Sequence, residues 1–224
     1  MTGDCEKTDR RLPLVQEYPA DPEFFARNTM HHIFILNASK RLGNSRGNLN
    51  DHLTLIAEQT LVALGYEVRS TRIDDGYDID TEVANLLWAD TVIYQMPAWW
   101  MAAPWIMKKY IDDVFTAGHG KLYESDGRSR TDGARRYGSG GLLRDKKYMF
   151  SITWNAPHEA FTDPEQFFEG KGIDAVLFPF HKANQFIGMT PLPTFMCNDV
   201  VKDPHIADDV ARYRKHLQQL FDRH

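Results

Sequence analysis

From His31 onward, short apolar runs of strand character alternate with stretches whose apolar residues repeat at helical spacing. Such alternation is the signature of parallel βαβ units, because each crossover between parallel strands needs a helix. The first strand is Ile33-Phe34-Ile35-Leu36, ending in Asn37-Ala38-Ser39. A polar loop from Lys40 to Gly47 leads into a helix marked by Leu49, Leu53, Ile56, Ala57, Leu61 and Leu64 and closed by Gly65. Tyr66–Ile73 alternates apolar with polar, as suits a strand with one wet face at a sheet edge. A short helix over Asp80–Trp88 precedes the third strand, Thr91–Met96, and a third helix spans Ala103–Phe115. Lys147–Thr153 is the fourth strand. Asp174 is placed to cap a helix reaching Gly188, with Pro179 in its first turn, and Pro191–Cys197 reads as a fifth strand whose prolines require an edge. A final helix covers Ala207–Asp222. The expected fold is α/β, a five-stranded parallel sheet of order 2-1-3-4-5 with helices on both faces, and its crevice lies at the carboxyl edge between strands one and three.

The 224 residues, 42% of them hydrophobic, suffice for one well-filled domain. Residues 29–224 are assigned to it. Residues 1–28, with Pro13, Pro19 and Pro22 among charged residues, read as an irregular or partly disordered extension. A net charge of -5 with interspersed signs gives no footprint for nucleic acid. Cys5 and Cys197 are too far apart for zinc spacing and too few for a disulfide framework, so a reducing, cytoplasmic setting is expected. No apolar run reaches the roughly 20 residues of a membrane span, and the N-terminus has no signal-peptide pattern.

Three segments meet at the carboxyl edge of the expected sheet. The third strand stops at Pro97-Ala98-Trp99-Trp100, whose rings read either as core or as the floor of a site for something flat. The first loop, Asn44 to Asp51, precedes a helix N-terminus, where free amides and the helix dipole favour an anion. Ser45 and Arg46 there are candidate phosphate ligands, and an ordinary cap and turn is an equally good reading. Thr153-Trp154-Asn155-Ala156 follows the fourth strand. The loop from Gly118 to Arg144 is long enough to imply either a function or mobility. There is no GxxxxGK[ST], no GxGxxG after the first strand, no carboxylate at the ends of strands one and three as a phosphoacceptor domain needs, and no histidine spacing for a metal.

The runs Met96-Pro97-Ala98-Trp99-Trp100-Met101, Lys108–Phe115, Tyr137-Gly138-Ser139-Gly140-Gly141, Thr153–Pro157 and Phe180–Phe186 together resemble the modulator of drug activity B group of NAD(P)H:quinone oxidoreductases, flavoproteins of flavodoxin-like fold. The resemblance covers nearly all of the chain after the extension. It implies FAD, its pyrophosphate near Ser45, Arg46, Gly47, Asn48, Leu49, Asn50, Asp51 and His52. The flavin ring would lie against Pro97, Ala98, Trp99 and Trp100, with Tyr137, Thr153, Trp154, Asn155 and Ala156 around it. Asn44 departs from the pattern, which has a histidine there. The implied activity is two-electron reduction of a quinone by NADPH or NADH, in a homodimer. Tyr137 and His158 are the candidate proton donors for the quinol. Two alternatives share the fold: a single-electron carrier holding FMN, and a reductase of free flavins, azo or nitroaromatic compounds.

Overall fold

The computed structural model describes residues 31–43 and 45–222; the extension assigned to residues 1–28, and Asn44, lie outside them. The elements run β1 (His32–Asn37), α1 (Asn48–Ala63), β2 (Glu67–Arg72), α2 (Ile79–Trp88), β3 (Thr91–Pro97), α3 (Trp105–Ala117), β4 (Lys147–Thr153), α4 (Glu159–Thr162), α5 (Gly172–Val176), α6 (Phe178–Phe186), β5 (Thr190–Pro191), β6 (Phe195–Cys197) and α7 (Ile206–Phe221). The strands pair in parallel in the order β2-β1-β3-β4-β5, with β6 also on β4. The expected five-strand order is therefore present, its fifth position divided in two.

Burial explains the strand patterns. Every residue of β3 is buried, as in a central parallel strand covered on both faces, whereas β2 at the edge has none that is fully buried. One face packs Phe34, Val92, Tyr94 and Phe150 against α2, α3 and α6. The other packs Ile33, Ile35, Ile93 and Met149 against α1 and α7. Side chains alternate between the faces along each strand.

Two elements depart from the sequence expectation. The single helix over Asp174–Gly188 is instead α5 and α6, separated at Leu177. Pro179 has no N–H to continue the ladder, so the chain starts a new helix with the proline in its first turn. Asp174 consequently caps nothing. It lies inside α5, where its carboxylate accepts from Thr194 at 2.6 Å and meets His181 Nε2 at 3.3 Å. The single fifth strand over Pro191–Cys197 is also broken: the Thr190 and Leu192 amides donate to the Lys146 and Tyr148 carbonyls, Pro191 and Pro193 turn their donor-less nitrogens to the open edge, and the register against β4 shifts by one residue before pairing resumes at Phe195.

The long connection from α3 to β4 is folded upon itself. Tyr123 bridges Gly141, the Glu124 amide donates to the Gly140 carbonyl at 2.9 Å, and the Gly138 amide donates to the Asp126 carbonyl at 2.7 Å. A Cβ at Gly140 would collide with the Ser125 carbonyl. Gly140→Ala should therefore lower stability by about 1–3 kcal/mol, read as a fall in the thermal midpoint. Gly133→Ala in the same loop, where a Cβ meets nothing within 4 Å, should change stability by less than about 0.5 kcal/mol.

Candidate active site

At the carboxyl edge, Trp99 and Ala102 bond reciprocally through their backbones, at 2.9 and 3.2 Å, around Trp100 and Met101. These two residues have φ of 44° and 65°. That is a two-residue turn of the type usually built from Asn and Gly, here carrying two bulky side chains in the left-handed region. Each costs about 1–2 kcal/mol relative to glycine, and strain of this kind concentrates where function holds it. Trp100 is 96% exposed. The turn walls a cavity of about 650 Å³ whose lining also includes Leu42 from the β1–α1 loop, Trp105 and Ile111 from α3, and Phe180 and Ala183 from α6. Lys108 and Asp112, ion-paired one helical turn apart, are the titratable residues of the lining. The size and apolar character fit a small-molecule site.

The loop that supplies Leu42 leads to α1, which begins without a side-chain cap, on Gly47 at φ 79°. A Cβ on Gly47 would press on the Ser39 Cβ at 3.2 Å, so the close approach of the two ends of the β1–α1 loop also favours glycine. The first intrahelical amide bond is from Asp51 to the Gly47 carbonyl. The amides of Asn48, Leu49 and Asn50 have no partner among the described residues. By contrast α2 is capped, with Asp78 accepting from the Thr81 amide at 2.9 Å.

The first turn of α1 is strapped to the strand ends by buried polar groups. Asn50 Nδ2 donates to Thr153 Oγ1 at 3.0 Å, and Gln95 Nε2 donates to Asn50 Oδ1 at 2.8 Å. Asp51 accepts from Asn37 Nδ2 at 2.8 Å, from Arg72 Nε at 3.2 Å, and from the Ser39 hydroxyl. Burial would raise the Asp51 pKa, but these hydrogen bonds and the Arg72 charge outweigh it and hold the carboxyl below its ordinary value.

A family described as having the flavodoxin-like fold matches residues 31–220. The chain belongs to that family. It is 53% identical over 189 residues to the NADPH:quinone oxidoreductase MdaB of Haemophilus influenzae, covering 84% of this chain and 98% of that one. It is 50% identical, again over 189 residues, to an uncharacterized Schizosaccharomyces pombe protein, covering 84% of this chain and 96% of the other. Among solved structures, a Klebsiella pneumoniae protein named as a candidate quinone reductase superposes with a TM-score of 0.67 at 25% identity, over 86% of this chain and 85% of that one.

Within this flavodoxin-like frame, the fold gathers most of the residues singled out from sequence and separates others. Pro97, Ala98, Trp99 and Trp100 stand at the carboxyl edge with Gly47, Asn48, Leu49 and Asn50, and with Thr153, Asn155 and Ala156. The Ala98 and Trp99 amides are already engaged, by the carbonyls of Thr153 and Ala102. The donors left open in that turn are the Trp100 and Met101 amides, and after β4 those of Asn155 and Ala156. The Asn155 side chain is used elsewhere, accepting from the amides of Val201 and Lys202. Ser45 is locked through its backbone to Leu42, which leaves its hydroxyl exposed, and Arg46 and His52 are exposed as well.

Trp154 has a different place from the one the resemblance implied. Its ring is buried between Phe161 and Phe168, with centroids 5.1 and 5.4 Å away. Its amide and carbonyl are bonded to Cys197 and Val200, so its ring is part of the core and its backbone groups are already engaged. His158 lies beyond β6 in a separate groove of about 440 Å³ with Arg212, Lys215 and His216. Tyr137 packs on Phe186 at 5.6 Å, one turn past Ala183 and outside the cavity lining.

Leu42, Trp105, Lys108 and Phe180 were not singled out from sequence. A tryptophan just after Pro104, at a helix start, and a leucine inside a polar loop were the available signals. Lys108 and Phe180 each open a run that carries the family resemblance, but nothing in those runs marked either one as facing a cavity, and the apolar neighbours of Phe180 on α6 read as core.

Asn50→Ala would leave the Gln95 amide and the Thr153 hydroxyl buried without their partner. A loss of about 2–3 kcal/mol in unfolding free energy is expected, measured by denaturant titration.

Proposed function

We propose that this chain is an FAD-dependent NAD(P)H:quinone oxidoreductase. The observation that carries this reading is that one sheet edge carries an uncapped helix N-terminus, a strained tryptophan turn with open amides, and an apolar cavity walled by that turn and by Leu42 of the loop leading to the helix. The strong likeness to a named NADPH:quinone oxidoreductase over almost its whole length supports it.

The donor set fits a flavin dinucleotide. Open amides at Asn48, Leu49 and Asn50, reinforced by the dipole of a sixteen-residue helix, suit a pyrophosphate. Ser45 and Arg46 are within the same loop to add a hydroxyl and a charge. The amides of Trp100, Met101, Asn155 and Ala156 suit the polar edge of an isoalloxazine ring, and Trp99 and Trp100 supply flat apolar surface beside it. A bound flavin would supply the means of taking a hydride from a nicotinamide and passing it on to a quinone.

The chain's own part is positioning. The cavity walls hold a flat substrate by dispersion and exclude water around it, and alignment rather than nucleophilic attack is what such a transfer requires. Lys108 is the cation of the lining, fit to hydrogen-bond a quinone oxygen as negative charge builds there. Neither Tyr137 nor His158 lines this cavity, so neither is assigned as proton donor within one chain. The exposed apolar side chains of Leu42, Trp100, Met101 and Trp105 form a patch of the kind that another protein surface covers. A second copy of the chain is the proposed cover, closing the cavity in a homodimer of the cytoplasm.

Purified protein should release FAD on denaturation and oxidise NADPH on addition of a benzoquinone or naphthoquinone, at the mass of a dimer in light scattering. Release of FMN with no direct NAD(P)H oxidation would instead identify a single-electron carrier. Trp100→Gly separates the ligand role from the structural one. It should hold or raise stability by up to about 1 kcal/mol, by relieving the positive φ, while raising the dissociation constant of the flavin or the KM of the quinone severalfold. Unchanged binding and kinetics would return Trp100 to a structural role.

A further inference from the structure

The connection between α3 and β4 carries four arginines within nine residues of a chain whose net charge is -5. Arg128, Arg130, Arg135 and Arg136 fall within it, against Asp132 as the acidic residue between them. Their environments differ. Arg128 is ion-paired with Asp126 and lies over the Tyr137 ring, 5.7 Å from its centroid. Arg130, Arg135 and Arg136 are exposed, and their guanidinium groups have no partner among the described residues. Asp132 makes no ion pair with them among the described residues; its carboxylate accepts from the Ala134 amide two residues on.

These cations are not on a slack tether. The Ser139 hydroxyl bonds the Arg136 carbonyl at 2.7 Å, and Arg144 bonds the carbonyls of Gly141 and Ser139 at 3.0 and 3.2 Å. Cβ atoms at Gly127, Gly140 and Gly141 would collide with backbone or side-chain atoms of the facing segments. A segment folded this tightly, yet presenting unpaired like charges together, fits a surface that awaits an anion. Its place relative to the cavity is fixed by α6. Tyr137 and Tyr123 both pack on Phe186, at 5.6 and 5.5 Å, and Ala183, one turn earlier on the same helix, lines the cavity.

We propose that Arg130, Arg135 and Arg136 form the phosphate-recognition platform for the hydride donor. They would bind the 2′-phosphate that distinguishes NADPH from NADH, with Tyr137 as a flat surface for the adenine beside it. This rests on the reading of the chain as a nicotinamide-dependent quinone reductase. Guanidinium groups match a phosphate dianion bidentately and stay charged at any working pH. A dinucleotide is also the one reactant long enough to have its reacting ring in the cavity and a phosphate outside it. The platform is thereby a specificity determinant, remote from the reacting atoms.

The test uses the holoenzyme and its Arg130→Gln/Arg135→Gln/Arg136→Gln variant, whose exposed substitutions leave the core untouched. Steady-state kinetics with a fixed quinone should show the KM for NADPH rising at least about tenfold, with kcat unchanged and the KM for NADH within about twofold. Calorimetric titration with 2′,5′-ADP and with 5′-ADP reads the same preference without turnover. The wild type should favour 2′,5′-ADP by at least about tenfold and the variant should not. A variant that keeps the wild-type preference, or a wild type that binds both nucleotides alike, overturns the proposal. A wild type that oxidises neither nicotinamide nucleotide with any quinone overturns the functional reading instead, and the titration still decides for or against the platform.

Discussion

The side chain of Asn50 is the joint on which the carboxyl edge depends. It is buried, and both ends of its amide are used: one receives the Gln95 amide from β3, the other reaches the Thr153 hydroxyl at the end of β4. An unpaired buried amide group costs about 1–3 kcal/mol, so these bonds fix where the first turn of α1 stands over the sheet. That in turn sets where its open amides point. Asp51, bonded to β1 through Asn37 and to β2 through Arg72, fastens the same turn from the other side. The helix start is thus tied to four strands, and its free donors are held in place without being consumed.

The division of the sheet into two faces explains why one edge carries all of this. Large aromatic and aliphatic residues fill the space under α2, α3 and α6. The α1 side changes from apolar at Ile33, Ile93 and Met149 to polar at Asn37, Gln95 and Ser151 as the strands approach their carboxyl ends, the last three lying side by side in register. Two further residues along each strand lead out into the loops. The change from oil to amide within one strand length is what allows polar donors to be presented beside an apolar cavity.

Much of the architecture was legible in the chain because it rests on period and punctuation. The unbroken apolar run at Thr91–Met96 marked a central strand, and the alternation at Tyr66–Ile73 marked the edge. Prolines gave the edge position of the fifth strand but not its interruption, because a one-residue shift of register against β4 leaves no mark in the pattern of the strand itself. Pro179 misled in the same manner: tolerated in a first turn, it marked the start of a second helix rather than an early position in one. At the site, Pro97 to Trp100 and Gly47 to Asn50 were visible as strand-end and helix-start motifs. Trp154 was not separable from its neighbours, because successive residues leave a strand on opposite faces and only packing on Phe161 and Phe168 shows which way this ring went. The roles of Ser45 and Arg46 rest on exposed side chains, for which pattern carries little information.

Cys197 closes β6 from a fully buried position, its carbonyl holding the Trp154 amide. Burial, with the Asp209 carboxylate nearby, pushes its thiol up to about 12. The thiolate is the reactive form of cysteine, and a thiol raised this far stays protonated at neutral pH. Quinones are Michael acceptors that alkylate thiolates. A catalyst that works in their presence is exposed to covalent poisoning by its own substrate, and here the thiol at the end of β6 is both walled off and held protonated. The same packing that completes the sheet therefore confers chemical durability against the electrophiles the enzyme would meet at every turnover.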